Sequence, residues 1–283
     1  MQINGIFIII NYKGGIYTMM IALTYRCNMG CTHCISDCKP DGIDMSKDTL
    51  IDSLDFINKH KIKAILFSGG EPFEHPDIIS LLDVIEEKLD KNTPITFATN
   101  GRVLADNIEI YEIVSELVKK NKKRIIIQVT DDDRFYPTKL NEKQRYRLEK
   151  IGAVIEGVPS YVSDRNKCLY PQGRALDNFD ESFYYTIAPK CVNIRLLVRQ
   201  NINKISNICD TLLMRGKMCT PVIAPNGMLK IGESALCPEV ASIYDNEKDI
   251  INKISHFNCN KCTYALEQLK KNNLPAYNLL INE

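Results

Sequence analysis

The sequence predicts an α/β fold: a parallel sheet closed or partly closed into a barrel, followed by a small C-terminal module built on a β-hairpin. Three observations predict it. Short apolar runs alternate with helical patterns from about residue 18 to residue 158, and repeated strand–helix units build parallel sheets with right-handed crossovers. Each distinctive polar motif (CNMGCTHC, SGGEP, TNG and TDDD) comes directly after one of those apolar runs, and in a barrel the loops after the strands converge on the face that carries the active site. Around Met218 the alternation stops and a hairpin pattern begins.

Each element has its own signal. Residues 6–10, the turn Lys13-Gly14-Gly15 and a strand at 17–24 read as an N-terminal hairpin, with residues 1–17 an extension of a core spanning 18–216. Ser46 can N-cap a helix running to about His60, with Leu50, Leu54 and Ile57 on one face. A strand at 62–67 runs into SGGEP, and Pro76 suits the first turn of a helix whose Ile78, Leu81, Leu82, Ile85 and Leu89 keep helical spacing. A strand at 95–98 opens into Thr99-Asn100-Gly101, followed by a helix at about 106–119. A strand at 124–129 ends in Thr130-Asp131-Asp132-Asp133, before a helix at 140–150 and a strand at 153–158. A sixth strand is placed at 192–198. Residues 221–224, the turn Pro225-Asn226-Gly227 and residues 228–231 form the hairpin pattern of a module spanning 217–283.

Bulk composition excludes little. With 36 basic against 35 acidic residues among 283, no overall charge argues for nucleic acid or a membrane surface, and neither partner is expected. The run KKNKKR at 119–124 reads as a solvated helix end, where the dipole favours cations. The apolar stretch at 6–10 is too short to span a bilayer, and no signal or lipidation motif is visible, so a cytoplasmic location is expected. Eleven cysteines in a reducing compartment argue for metal or cluster binding over disulfides.

Cys27, Cys31 and Cys34 form a C-x3-C-x2-C run. Thiolates are the preferred ligands of iron–sulfur clusters, and a cubane of four irons takes four of them, so a set of three leaves one iron open to a ligand outside the protein. By spacing alone, a zinc site completed by Cys38 or His33 is the alternative, as are plain buried thiols. Cys38 is surplus and reads as an ordinary thiol. A second group, Cys219, Cys237, Cys259 and Cys262, supplies four thiolates for a closed cubane or a structural zinc. Cys168, Cys191 and Cys209 read as small buried apolar residues.

The triplet followed, after the next strand, by GGEP resembles the signature of the radical S-adenosylmethionine (radical SAM) superfamily. That resemblance implies a partial (β/α)6 TIM-like barrel and a 4Fe-4S cluster on Cys27, Cys31 and Cys34. It also implies S-adenosylmethionine on the open iron, cleaved to a 5′-deoxyadenosyl radical that abstracts hydrogen from a substrate. Gly69, Gly70 and Glu71 are then placed at the methionyl ammonium, His33 on the adenine side, and Gln128, Thr130 and Asp131 near the ribose hydroxyls. Asn100 is similarly placed, and equally forms an Asn-Gly turn. The segment Pro171-Gln172-Gly173-Arg174-Ala175 is similar to a P-x-G-R-A segment of relatives with a C-terminal cluster domain, which puts Arg174 near S-adenosylmethionine. The layout of the later cysteines resembles the Twitch domain, a shortened SPASM domain, implying a second, auxiliary 4Fe-4S cluster.

For the substrate, Asp131 and Asp133 are candidates for proton transfer and Cys168 for hydrogen-atom return; a solvated acidic turn is the plain reading of the aspartates. The resemblance makes peptide modification (crosslinking, epimerisation or thioether formation) the leading expectation. A small metabolite such as a sugar or nucleoside is the second, and a non-catalytic redox-sensing metal protein the third. An electron donor such as flavodoxin or ferredoxin is the implied partner.

Overall fold

A computed structural model describes residues 19–121, 124–132, 134–156, 169, 171–184, 204–206, 221–257, 261, 263–272 and 274–281. Residues 1–18, with the first strand and turn of the predicted N-terminal hairpin, and the strand at 192–198 lie outside these residues, as do Asp133, Cys168, Cys191, Cys209, Cys219, Cys259 and Cys262.

Five strands alternate with helices and pair in parallel in chain order: β1 (Met19–Thr24), β2 (Ile65–Gly69), β3 (Ile95–Thr99), β4 (Ile125–Thr130) and β5 (Val154–Glu156). On the free side of β1, β6 (Val222–Ile223) pairs in parallel with Met20 and Ile21. Then β7 (Met228–Lys230) and β8 (Glu239–Ser242) add on in antiparallel fashion. The sheet order is β5-β4-β3-β2-β1-β6-β7-β8, the mixed α/β arrangement of a partial barrel. The sixth parallel strand among the described residues is therefore the first strand of the predicted hairpin. The sheet runs unbroken from the barrel strands into the C-terminal segment.

Every residue of β1 is buried, as a central parallel strand covered on both faces requires. Met19, Ile21 and Leu23 join the main core beneath the helices. Met20 and Ala22 face the opposite way, with Leu66 and Val222. Helix α1 (Lys47–Lys59) starts as predicted: the Ser46 hydroxyl accepts the Thr49 N–H at 3.1 Å, and Leu50, Leu54 and Ile57 are buried. Helix α2 (Ile78–Lys88) follows a single 3-10 turn at Pro72–Glu74. The helix predicted at about 106–119 is α4 (Ile108–Lys120), and a short helix the sequence reading did not give, α3 (Arg102–Asp106), precedes it. Asn107 ends α3 and N-caps α4 by accepting the Ile110 N-H. A capping box between Asn141 and Gln144 starts α5 (Glu142–Lys150). The remaining helices are α6 (Ala175–Asn178), α7 (Glu247–Ser255), α8 (Thr263–Asn272) and α9 (Leu274–Ile281). No helix among the described residues is long and apolar enough to cross a membrane.

Arg124 departs from the solvated reading of its basic run. Its guanidinium is buried and donates to the carbonyls of Thr93 at 2.9 Å, Asp90 at 3.1 Å and Leu89 at 3.3 Å. It closes the end of α2 and the turn into β3. Arg124→Met keeps the bulk but strips three carbonyls of their donor. A loss of about 2–4 kcal/mol is expected in urea denaturation, and an unchanged midpoint contradicts the role.

Candidate active site

The triplet sits in residues 25–46, which join β1 to α1 without helix or strand of their own. The ends of this loop are tied together. Asp44 accepts from the Thr24 hydroxyl and pairs with Arg26 at 2.7 Å, and Arg26 Nη1 also donates to Pro40 O. Cys27 N–H donates to Lys39 O at 2.9 Å. Next to it, both the backbone N–H and the side-chain Nδ2 of Asn28 donate to Glu74 Oε2.

Arg174 braces the same loop from far along the chain. Its Nε donates to Cys31 O at 2.9 Å and its Nη1 to Cys38 O at 2.9 Å and Asp37 Oδ1 at 3.1 Å. Its backbone N–H donates to Cys34 O at 3.0 Å. Gly173, at φ +57°, lies so close that a Cβ there would stand 2.3 Å from Cys34 O. The Arg174 side chain is thus occupied by carbonyls of the cysteine loop, a role the sequence did not reveal.

The SGGEP strap lies on the other side. Gly70 N–H donates to Thr24 O and Glu71 N–H to Arg26 O. A Cβ on Gly70 would come within 2.1 Å of Arg26 O, and Gly69 has φ +113°. These glycines answer to the close approach of the chain's own backbone at the start of the cysteine loop. The Glu71 carboxylate is buried and takes three donors: Phe73 N–H, the Thr99 hydroxyl at 2.6 Å and Asn100 N–H at 2.7 Å. Burial still raises it to about 7, against the pull of those three bonds.

After β3, Asn100 forms the turn that was one of its two readings. Its Oδ1 accepts Arg102 N–H at 3.0 Å, with Gly101 at φ +77°. After β4, Asp131 is buried and committed: it accepts Leu140 N–H at 3.0 Å, pairs with Arg145 at 2.6 Å and has Arg102 at 4.0 Å. That environment makes Asp131 a clamp for α5. Arg102 and Arg145 were missed by the sequence reading; a charged residue directly after the TNG glycine was the available signal. Gln128 pairs in register with Ala98 and is buried. The Thr130 hydroxyl, two residues on and so on the same face of β4, bonds to the Tyr136 phenol.

His33 packs its ring on Phe135 at 5.3 Å and Tyr136 at 5.7 Å, and its Nδ1 is buried without a hydrogen-bond partner. Burial lowers it to about 4, so the ring is neutral. Beside it, a cavity of about 610 Å³ is lined by Thr32, Arg134, Phe135, Tyr136, Phe179 and Phe183.

The donor set fits a thiolate-bound cluster. Burial pushes Cys27 up to about 12 and Cys31 up to about 11, so both thiols keep their protons until a metal displaces them. Cys34 is the readier to ionise, because Cys38 hydrogen-bonds to its sulfur. Arg174 and Arg102 both favour the thiolate of Cys31. Among the described residues no three Cys, His, Asp or Glu side chains close around one ion. Of the later cysteines only Cys237 is described. It is half-buried, and its N–H donates to Ser234 O. The same turn docks on the cysteine loop: Ala235 N–H donates to Ile35 O at 3.0 Å, and Ser36 Oγ to Glu233 O at 3.1 Å.

A family model described as the radical SAM superfamily matches residues 21–161. The antilisterial bacteriocin subtilosin biosynthesis protein AlbA of Bacillus subtilis is 28% identical over 111 residues, covering 39% of this chain and 23% of that protein. A GTP 3′,8-cyclase of Clostridium perfringens is 29% identical over 141 residues, 47% of this chain and 42% of that protein. The matches thus span less than half of these curated relatives. Among solved structures, BtrN in complex with AdoMet and 2-DOIA superposes with a TM-score of 0.52 at 15% identity, over 94% of this chain and 92% of that one. Streptococcus suis SuiB bound to precursor peptide SuiA gives 0.53 at 14%, over 86% and 67%. At such identities the structures speak for the fold.

Glu71 yields a pH prediction. Its folded value of about 7 lies above the ordinary 4.5. Between the two the folded chain holds a proton that the unfolded chain has released, so this contribution to stability is full below about 4.5 and lost as pH rises through about 7. The stability advantage of wild type over Glu71→Gln is expected to shrink by up to about 3 kcal/mol from pH 4.5 to pH 8. Urea midpoints across that range check it, and a constant difference refutes it.

Proposed function

This chain belongs to the radical SAM superfamily, and from that footing we propose that Cys27, Cys31 and Cys34 hold its 4Fe-4S cluster. The observation that carries the assignment is their common loop, strapped by SGGEP on one side and by Gly173-Arg174 on the other. Such a cluster, when bound, supplies the electron that cleaves S-adenosylmethionine to the 5′-deoxyadenosyl radical. The chain's own residues supply the setting. Gly69, Gly70 and Glu71 form the strap bonded to Thr24 and Arg26 just before Cys27, suited to the methionyl ammonium, with Glu71 also fixing the Asn100 turn. Gln128 and Thr130 present hydrogen-bonding groups on one face of β4, suited to the ribose hydroxyls. His33, neutral and stacked, offers a flat apolar surface with one open ring nitrogen, suited to the adenine side. Arg174 holds the cysteine loop in place.

We further propose that residues 217–283 carry an auxiliary cluster on Cys219, Cys237, Cys259 and Cys262, and that the substrate is a ribosomally made peptide. The similarity to a bacteriocin biosynthesis protein supports the peptide, as does a cavity lined by four aromatic rings beside Thr32, which suits an apolar side chain. The second reading, a small metabolite, is favoured by the cyclase relative, whose match covers more of this chain. Asp133 and Cys168 stay candidates for substrate chemistry, whereas Asp131 serves by positioning α5 and Arg102. With eleven cysteines the protein suits the reducing cytoplasm, where a flavodoxin or ferredoxin is the donor.

Anaerobically reconstituted, reduced and given S-adenosylmethionine, the protein is expected to release 5′-deoxyadenosine. Cys27→Ala abolishes release; a fully loaded protein that gives none is instead a non-catalytic metal-binding sensor. Two cubanes bring about eight irons per chain, and Cys259→Ala with Cys262→Ala removes about four, whereas an unchanged count rejects the auxiliary cluster. A mass change or deuterium uptake in a short peptide encoded beside the gene supports the peptide reading. Turnover of a nucleoside or sugar in its place overturns it.

A further inference from the structure

Cys38 is where the three motif loops meet. It is 3% exposed, and each of its polar groups serves a different loop. Its N–H donates to Cys34 Sγ at 3.4 Å, its thiol donates to Gly69 O at 3.3 Å, and its carbonyl accepts from Arg174 Nη1 at 2.9 Å. A residue that reads from sequence as a spare thiol is thus tied to the triplet, to SGGEP and to the Gly173-Arg174 segment at once.

We propose that Cys38 is a positioning residue that aims an N–H at the sulfur of Cys34 and thereby sets the reduction potential of the cluster, without itself binding iron. This rests on the reading that Cys27, Cys31 and Cys34 hold the cluster. An N–H directed at a ligating sulfur draws charge from it, and hydrogen bonds to the sulfurs are among the features that set iron–sulfur potentials. The reduced cluster carries one more negative charge and gains more from the donor, so the donor raises the potential. The aim of that N–H depends on what holds Cys38 from either side. The thiol anchors it to Gly69, itself the start of the strap bonded to Thr24, and Arg174 holds the carbonyl. A protonated thiol spent on a carbonyl is a donor and not an iron ligand.

The test uses the full-length reconstituted protein and its Cys38→Ala and Cys38→Ser variants. Iron and sulfide are counted first. The cluster whose electron paramagnetic resonance signal responds to S-adenosylmethionine is then titrated against potential. Cys38→Ala is expected to keep the wild-type iron count but to hold about tenfold less reduced cluster at a given potential, about 59 mV for a one-electron couple. Cys38→Ser keeps a donor for Gly69 O and is expected to stay within about threefold of wild type, roughly 28 mV on the same scale. A Cys38→Ala potential equal to wild type overturns the proposal, as does a Cys38→Ser shift as large as that of Cys38→Ala. Loss of about four irons in Cys38→Ala also overturns it, making Cys38 a ligand. If Cys27→Ala keeps all its iron, the fault lies in the cluster assignment and the proposal falls with it.

Discussion

The constraint on which this molecule turns is that Cys27, Cys31 and Cys34 ride on a stretch with no helix or strand of its own. A helix carries its own backbone hydrogen bonds and a strand takes them from its neighbours in the sheet; residues 25–46 pair only some of their N–H and C=O groups among themselves, and others take partners from elsewhere. The carbonyls of Thr24 and Arg26 are taken by Gly70 and Glu71, those of Cys31, Cys34 and Cys38 by Arg174, and that of Ile35 by Ala235. Three loops far apart in sequence therefore complete one loop. A thiolate-bound cluster needs its ligands held at fixed separations before it assembles, and the shape of this loop is imposed from three sides.

Charge on the rim follows the same logic of commitment. Asp131, Arg145 and Arg102 occupy one another, and Arg26 is paired with Asp44. Glu71 is the exception: its three hydrogen-bond donors are all neutral, and burial governs its protonation. The cations that bear on the triplet, Arg174 and Arg102, favour the thiolate of Cys31. They reach the site from the start of α3 and from the segment before α6, so the electrostatic setting is as non-local as the hydrogen bonding.

What was legible in the sequence was local. Ser46 as a cap, the spacing of Leu50, Leu54 and Ile57, and the βα alternation all depend on neighbours within a turn or two, and each is found in place. The short α3 was missed because five residues directly after the Asn100-Gly101 turn are too few to show a helical period. Arg124 was misread for a related reason: charge composition describes a run, whereas burial is decided by where the carbonyls of Leu89, Asp90 and Thr93 end up. In the site, the motif glycines were legible but the reason for them was not. Gly70 and Gly173 face backbone carbonyls of the cysteine loop, contacts that no spacing along the chain encodes.

The pairing of β6 with β1 carries the greatest consequence of this kind. A hairpin marked by Pro225-Asn226-Gly227 reads locally as the start of something separate, yet Val222 is hydrogen-bonded into the sheet beside Met20. Because β6 is fixed there, the turn after β7 comes to rest on Ile35 and Ser36, one and two residues beyond Cys34. Cys237 lies in that same turn. The last cysteine of the triplet and the described cysteine of the later group are thus joined through two hydrogen bonds and a short piece of backbone. A displacement of β7 or of its turn bears directly on the loop that carries the triplet, so Cys237 and that loop are mechanically linked.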